Sequence, residues 1–167
     1  DYDNDGDQDI YLTTLDRNIL LNNNEGYFVN VSKNAGLGNT LDWSSSAVFF
    51  DADNDGWLDL YVGNYAIWSP LSDLWCSLDS KTKVYCPPEM YTGLPSKFYH
   101  NNRDGTFSDY TKKAGFLPAP GKSLGAVLMD YDDDGWLDLA VANDGERDLL
   151  YKNNGDGVFD EIVTELG

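Results

Sequence analysis

The chain has 167 residues, 29 of them acidic and 11 basic, for a formal net charge of −18. A surface this negative repels nucleic-acid phosphates and anionic membranes and attracts cations, so neither nucleic acid binding nor membrane insertion is expected. A 14% aromatic content, with five Trp and eleven Tyr, sets the chain apart from a disordered acidic tail, and no apolar run approaches the length of a membrane span.

The first element, "DYDNDGDQDIYL", opens the chain at Asp1, inside a motif and without an initiator Met, and reads as a mature product or an excerpt of a longer protein. Asp1, Asp3, Asp5, Asp7 and Asp9 fall on alternate positions around Gly6, and Ile10 and Leu12 then point one way along a strand. "ILLNNNEGYF" from Ile19 reads as two strands around an Asn- and Gly-rich turn, since both residues tolerate the positive φ such a turn needs. "SSSAVFFD" carries a strand into a second acidic loop, "DADNDGWLDLYV" from Asp51, in which Leu58, Leu60 and Val62 alternate on one face. Residues 64–95 break the pattern. "FYHNNRDGTF" from Phe98, "SLGAVLMD" ending at Asp130, "DYDDDGWLDLAV" and "LYKNNGDGVF" from Leu150 complete the set, with Leu137, Leu139 and Val141 matching the earlier alternation.

The acidic motifs stand 50 and then 79 residues apart, and the Asn-rich motifs 79 and then 52. One insertion of about 28 residues between Gly63 and Ser96 reconciles both spacings and leaves a period of about 50. Four short antiparallel strands at that period describe a β-propeller blade. The expected fold is all-β: an incomplete blade over 1–41, a blade with an inserted loop over 42–117, and a third blade over 118–167. Rings hold about four to eight blades, so the remaining blades come from a parent chain, the preferred reading, or from other copies. The missing first strand of the first blade leaves a sheet edge to be covered.

Oxygen ligands on alternate residues of a tight loop suit Ca²⁺, which takes six to eight oxygens. The expected ligands of the first loop are Asp1, Asp3, Asp5, the Asp7 carbonyl and Asp9. The second loop offers Asp51, Asp53, Asp55, the Trp57 carbonyl and Asp59, and the third Asp130, Asp132, Asp134, the Trp136 carbonyl and Asp138. About three Ca²⁺ ions are therefore expected. Mg²⁺ keeps its waters and fits less well, and soft metals lack Cys or His in these loops. A helix-flanked EF-hand loop needs Glu at position 12, where this chain has Leu12, Val62 and Val141. Fourteen of the 29 acids lie in the three loops, and their mutual repulsion opposes folding until a cation offsets it.

These loops resemble the FG-GAP repeats of integrin α-chain propellers and the related VCBS repeats. The longer pattern, "NNRDGTFSDYTKKAGF" followed by "SLGAVLMDYDDDGWLDLAVAND", is similar to the repeat region of proteins related to cartilage acidic protein, whose bacterial relatives often carry an ASPIC/UnbV segment. The insertion "YCPPEMYTGLPSKFYHNN" resembles a feature of that group as well. The resemblance covers essentially the whole chain. It implies a calcium-binding propeller of seven or eight blades, secreted or on the cell surface, serving adhesion or interaction. Two departures stand out: the Phe-Gly-Gly-Ala-Pro signature shrinks to Gly125-Ala126 and Ser46-Ala47, and the ASPIC/UnbV segment is absent.

The insertion holds both cysteines, four of six prolines, and Tyr65, Trp68, Trp75, Tyr85 and Tyr91. In an extracellular protein Cys76 and Cys86 are expected to pair; zinc is disfavoured, with His100 the one histidine and outside the loop. Trp68, Trp75, Tyr85 and Tyr91 either present a surface to a protein or glycan ligand or only cover a blade face. His100 aligns with Leu21 and Lys152, which suggests a strand position without chemistry. Trp57 and Trp136 are read as packing or shielding groups, and Asn30 opens an Asn-Val-Ser sequon. The expectation is a non-enzymatic interaction platform. The alternative is part of a calcium-dependent propeller lyase or hydrolase acting on polysaccharide, using free acids such as Asp73, Asp79 and Glu89. A calcium sensor is disfavoured, since there is no helix pair to open.

Overall fold

The computed structural model describes residues 1–38, 40–116 and 121–162, and these form an all-β protein of eleven strands. Strands β1 (Ile10–Leu12), β2 (Ile19–Asn24) and β3 (Tyr27–Asn30) make a three-stranded sheet. Strands β4 (Ser44–Phe50), β5 (Asp59–Asn64), β6 (Lys97–Asn101) and β7 (Phe107–Asp109) make a four-stranded one. Strands β8 (Ser123–Met129), β9 (Asp138–Asn143), β10 (Leu149–Asn153) and β11 (Phe159–Glu161) make the third. Each sheet is an antiparallel meander, the form of a propeller blade. A single 3-10 turn, Pro88–Met90, is the one helical element among the described residues, and none of their helices is long and apolar enough to cross a membrane.

Local sequence explains the turns. Glu25 and Gly26 link β2 to β3 with φ of 51° and 92°, the mirror-image turn that suits a two-residue hairpin. The other two hairpins are one residue longer, pairing Asn101 with Phe107 and Asn153 with Phe159. Both complete blades carry a register shift at the same place, Ser44/Ser46 and Ser123/Gly125, where the reduced signature lies.

The sheets stack face to face around two cores. Leu60, Val62, Tyr99 and Phe107 of the second sheet pack on Tyr2, Leu20, Ala35 and Leu37 of the first. On its other face Phe50, Tyr61 and Phe98 meet Leu139, Val141, Tyr151 and Phe159 of the third. The expected one-sided alternation of β5 therefore gives way: every residue from Asp59 to Asn64 is buried, because a sheet covered on both sides has no solvated face. The matching residues of the first sheet also depart from expectation, Ile10 and Leu12 being 38% and 43% exposed. Leu60 and Val62 face the preceding sheet, and Leu139 and Val141 do the same; among the described residues no sheet covers Ile10 and Leu12.

Backbone bonds tie each sheet to the next. Phe107 donates its N–H to the Ala35 carbonyl and Phe159 to the Ala114 carbonyl, each at 2.8 Å. The adjoining Gly36 and Gly115 have φ of 82° and 86°, and a Cβ on Gly115 would stand 2.1 Å from the Phe159 carbonyl oxygen. The "AGL" and "AGF" triplets are thus close-approach corners, open only to glycine.

Candidate metal loops and an aromatic cavity

The three acidic loops share one backbone plan. Asn4, Asn54 and Asp133 have φ of 58°, 55° and 59°, and Gly6, Gly56 and Gly135 follow with 96°, 89° and 87°. The N–H groups of Gly6, Gly56 and Gly135 bond to Asp1, Asp51 and Asp130 at 3.1, 2.8 and 2.9 Å. Those of Asp7, Trp57 and Trp136 bond to Asp5, Asp55 and Asp134 at 2.8, 2.8 and 3.0 Å. Each loop is thus wound so that its carboxylates turn inward. Oxygens of Asp1, Asp3 and Asp5, and of Asp130, Asp132 and Asp138, come within 4.8 Å of one another, as do ligand atoms of Asp53, Asp55 and His100.

Two of the loops hold carboxylate oxygens that nothing satisfies. Asp1 Oδ1, Asp3 Oδ1 and Asp53 Oδ1 are buried without a hydrogen-bond partner. Burial, and then the Asp5 carboxylate, pushes Asp3 above the usual carboxylate range; burial followed by Asp55 does the same to Asp53. An unsatisfied buried carboxylate is costly, and an oxygen-seeking cation among these groups removes the cost. The donor sets of the first and third loops, hard oxygens on a turn of this pitch, fit Ca²⁺; in the second the carboxylates of Asp53 and Asp55 do so too, with the His100 imidazole beside them.

Asp9, Asp59 and Asp138 play a second part. The side chains of all three are buried, and their Oδ1 atoms accept the backbone N–H of Asn23, Asn101 and Asn153 at 2.8 Å. Burial pushes Asp59 up to about 6, against the pull of the Asn101 amide and His100. The ninth residue of each loop therefore anchors the loop to its own hairpin. Trp136 stacks over Gly155 of that hairpin, where a Cβ would come within 2.7 Å of the indole, in keeping with a packing role.

Two features were hidden in the sequence. Asn101 and Asn153 are fully buried clamps between blades: Asn101 Nδ2 donates to the Tyr2 carbonyl of the first loop and Asn153 Nδ2 to the Ala52 carbonyl of the second, each at 2.8 Å. Their signal in the sequence is the first Asn of each "NN" pair, a pair whose composition points only to the turn. The second feature corrects the alignment of His100. Pairing of Ile10 with Leu21, Leu60 with Tyr99 and Leu139 with Tyr151 makes Asn22, not Leu21, the counterpart of His100 and Lys152. The first hairpin is a residue shorter, which slid the alignment. All three side chains reach acidic-loop carboxylates: Asn22 to Asp3 at 2.7 Å, His100 to Asp59 at 3.0 Å, and Lys152 to Asp132 and, at 3.1 Å, Asp134.

The insertion leaves the second blade and returns to it through an Ala66–Gly93 bridge, and touches the third through Leu94–Gly121. Cys76 and Cys86 form a disulfide with their Cα atoms 5.2 Å apart. Beneath it lies a cavity of about 750 Å³ lined by Trp43, Tyr65, Trp68, Tyr85 and Tyr91, with Asp73 and Lys83 paired at its edge. Trp43 packs at 4.8 Å from Tyr65 and 5.8 Å from Trp68, and Tyr65 is fixed by a 2.5 Å bond to Asp144 of the third blade. Of the four expected ligand-loop aromatics, Trp68, Tyr85 and Tyr91 line this cavity. Trp75 does not, and lies 66% exposed elsewhere on the loop. Trp43 and Tyr65 complete the wall from the blade side.

Stacked antiparallel meanders, one of three strands and two of four, each with an Asp-rich loop leading into one of its strands, define a repeat protein of the propeller type. The chain belongs to the FG-GAP-like repeat family, whose pattern matches residues 1–62 and 91–141, more than half of its length; the stretch between them carries the insertion. No curated protein shows a significant match to it.

Proposed function

We propose that this chain is an extracellular interaction module whose blades are clipped by Ca²⁺. The observation that carries the reading is the set of buried, unpartnered carboxylate oxygens on Asp1, Asp3 and Asp53 inside loops of matching pitch. Asp1, Asp3, Asp5 and Asp9 would hold an ion with the Asp7 carbonyl in the first loop, and Asp51, Asp53, Asp55 and Asp59 with the Trp57 carbonyl in the second. Asp130, Asp132, Asp134 and Asp138 with the Trp136 carbonyl form the third set. When bound, the ion supplies charge neutralisation and a fixed turn; the chain's own residues supply the anchoring, through the ninth carboxylate and the interblade asparagines. Extracellular placement is supported by the family and by the Cys76–Cys86 bond.

The working surface in this reading is the aromatic cavity beneath the stapled insertion, whose size suits a small ligand or an anchoring side chain of a partner. A non-catalytic role is favoured by what two of the three free acids, Asp73 and Asp79, are doing. Asp73 is occupied by Lys83 and the Trp68 indole at 3.0 Å, and Asp79 by the Thr82 and Lys81 amides at 2.7 and 2.9 Å. Those bonds hold both carboxyls below their ordinary range, the wrong direction for a general acid. Calorimetric titration of chelator-stripped protein tests the proposal: saturable Ca²⁺ binding that exceeds Mg²⁺ binding at least tenfold is expected. Equal binding of the two ions, or none, would overturn it.

A further inference from the structure

The three loops share a backbone but differ in what the hairpin sends into them. At the equivalent position of β2, β6 and β10 stand Asn22, His100 and Lys152. Asn22 brings a neutral amide, and Asp1 Oδ1 and Asp3 Oδ1 remain buried and unpartnered beside it. In the second loop Asp53 Oδ1 is likewise left over; the cation nearest that loop, Arg103, takes Asp55 from outside with its side chain 55% exposed. In the third loop Lys152 places its ammonium on Asp132 and on Asp134 at 3.1 Å, and no oxygen of that loop is both buried and unpartnered.

We propose that Lys152 is a tethered cation occupying the third acidic loop, so that the chain takes up two Ca²⁺ ions tightly and a third only by displacing the lysine. The proposal rests on the calcium reading above and concerns how that reading divides among the loops. An ammonium on a four-carbon stem rooted in β10 is held at a high effective concentration against its carboxylates. It already offsets the repulsion that makes the other loops bind. An entering ion meets a positive charge on the carboxylates of the third and fifth positions, whereas in the first loop the same two carboxylates bond only neutral N–H groups, of Asn22 and of Asp7. The consequence is a graded protein: two clips filled at low calcium, the third responding only at higher concentration.

The test is calorimetric calcium titration of the wild type, Lys152→Asn and Asn22→Lys, all stripped with chelator. Lys152→Asn installs in the third loop the residue the first loop uses, and Asn22→Lys does the reverse. The expected result is two tight sites and one at least tenfold weaker in the wild type, three comparable sites in Lys152→Asn, and one tight site fewer in Asn22→Lys. Three comparable wild-type sites, or a weak site that stays weak in Lys152→Asn, would overturn the lysine proposal and leave the calcium reading standing. An absence of calcium heat in all three proteins would overturn both.

Discussion

Replacing Asn101 by alanine removes more than one hydrogen bond. Its Nδ2 donates to the Tyr2 carbonyl at 2.8 Å and the Leu58 carbonyl at 3.1 Å, and its Oδ1 accepts the Arg103 N–H at 2.9 Å. The residue is fully buried, so water does not replace the amide at the two carbonyls. Each stranded group costs about 1–3 kcal/mol, and the Arg103 N–H, at an exposed turn, recovers its bond from solvent. Asn101→Ala is therefore expected to destabilise the protein by roughly 4 kcal/mol. Its neighbour Asn102 is the control: it is exposed and bonds only Thr106 and Ser108, each at 3.0 Å. Asn102→Ala should cost less than about 1 kcal/mol. Urea unfolding at saturating calcium separates the two, provided the slope m is unchanged. Asn101→Asp, which keeps the volume but turns an acceptor toward two carbonyls, should be at least as damaging as alanine. If Asn101→Ala unfolded within 1 kcal/mol of Asn102→Ala, the interblade clamp would not exist as described.

Three further outcomes are expected. Gly115→Ala forces a Cβ to 2.1 Å from the Phe159 carbonyl oxygen, whereas Gly135→Ala, at nearly the same φ, meets open space. The latter should cost only the left-handed strain of about 1–2 kcal/mol, and thermal melting should show Gly115→Ala well beyond it. Opening the Cys76–Cys86 bond should loosen the insertion by about 3 kcal/mol, raising its sensitivity to protease while the blades melt as before. Trp68→Ala should abolish binding of whatever a glycan array or partner screen shows for the wild type, with no change in calcium uptake; unchanged ligand affinity would mean that the insertion only covers the blade.

Repetition made much of this legible. Three acidic loops at matched spacing located the blades, the loops and the insertion, because each strand pair must return to the same register whatever its neighbours are. What repetition concealed was anything that depends on which sheet lies on which side. The sequence of β5 points to a one-sided strand because alternation presupposes a wet face, and the central sheet has none. The run Asn22-Asn23-Asn24 hid the register of the first hairpin, since three identical residues offer no mark for the one that enters the blade, and the shorter turn moved the true counterpart of His100 by a residue. The cavity wall was hidden for another reason: Trp43 and Tyr65 flank β4 and β5 and meet the insertion only in three dimensions.

The measurement that bears most directly on the calcium account is the melting temperature of the chelator-stripped protein with and without added calcium. At 100 times its dissociation constant a bound ion adds about 2.7 kcal/mol, so two tightly filled loops add roughly 5 kcal/mol. For a chain of this size that corresponds to a rise of about 10–20 °C. A rise of that order, reproduced poorly by magnesium, is the predicted result. An unchanged melting temperature at millimolar calcium would contradict the account, because the buried carboxylates would then need no ion.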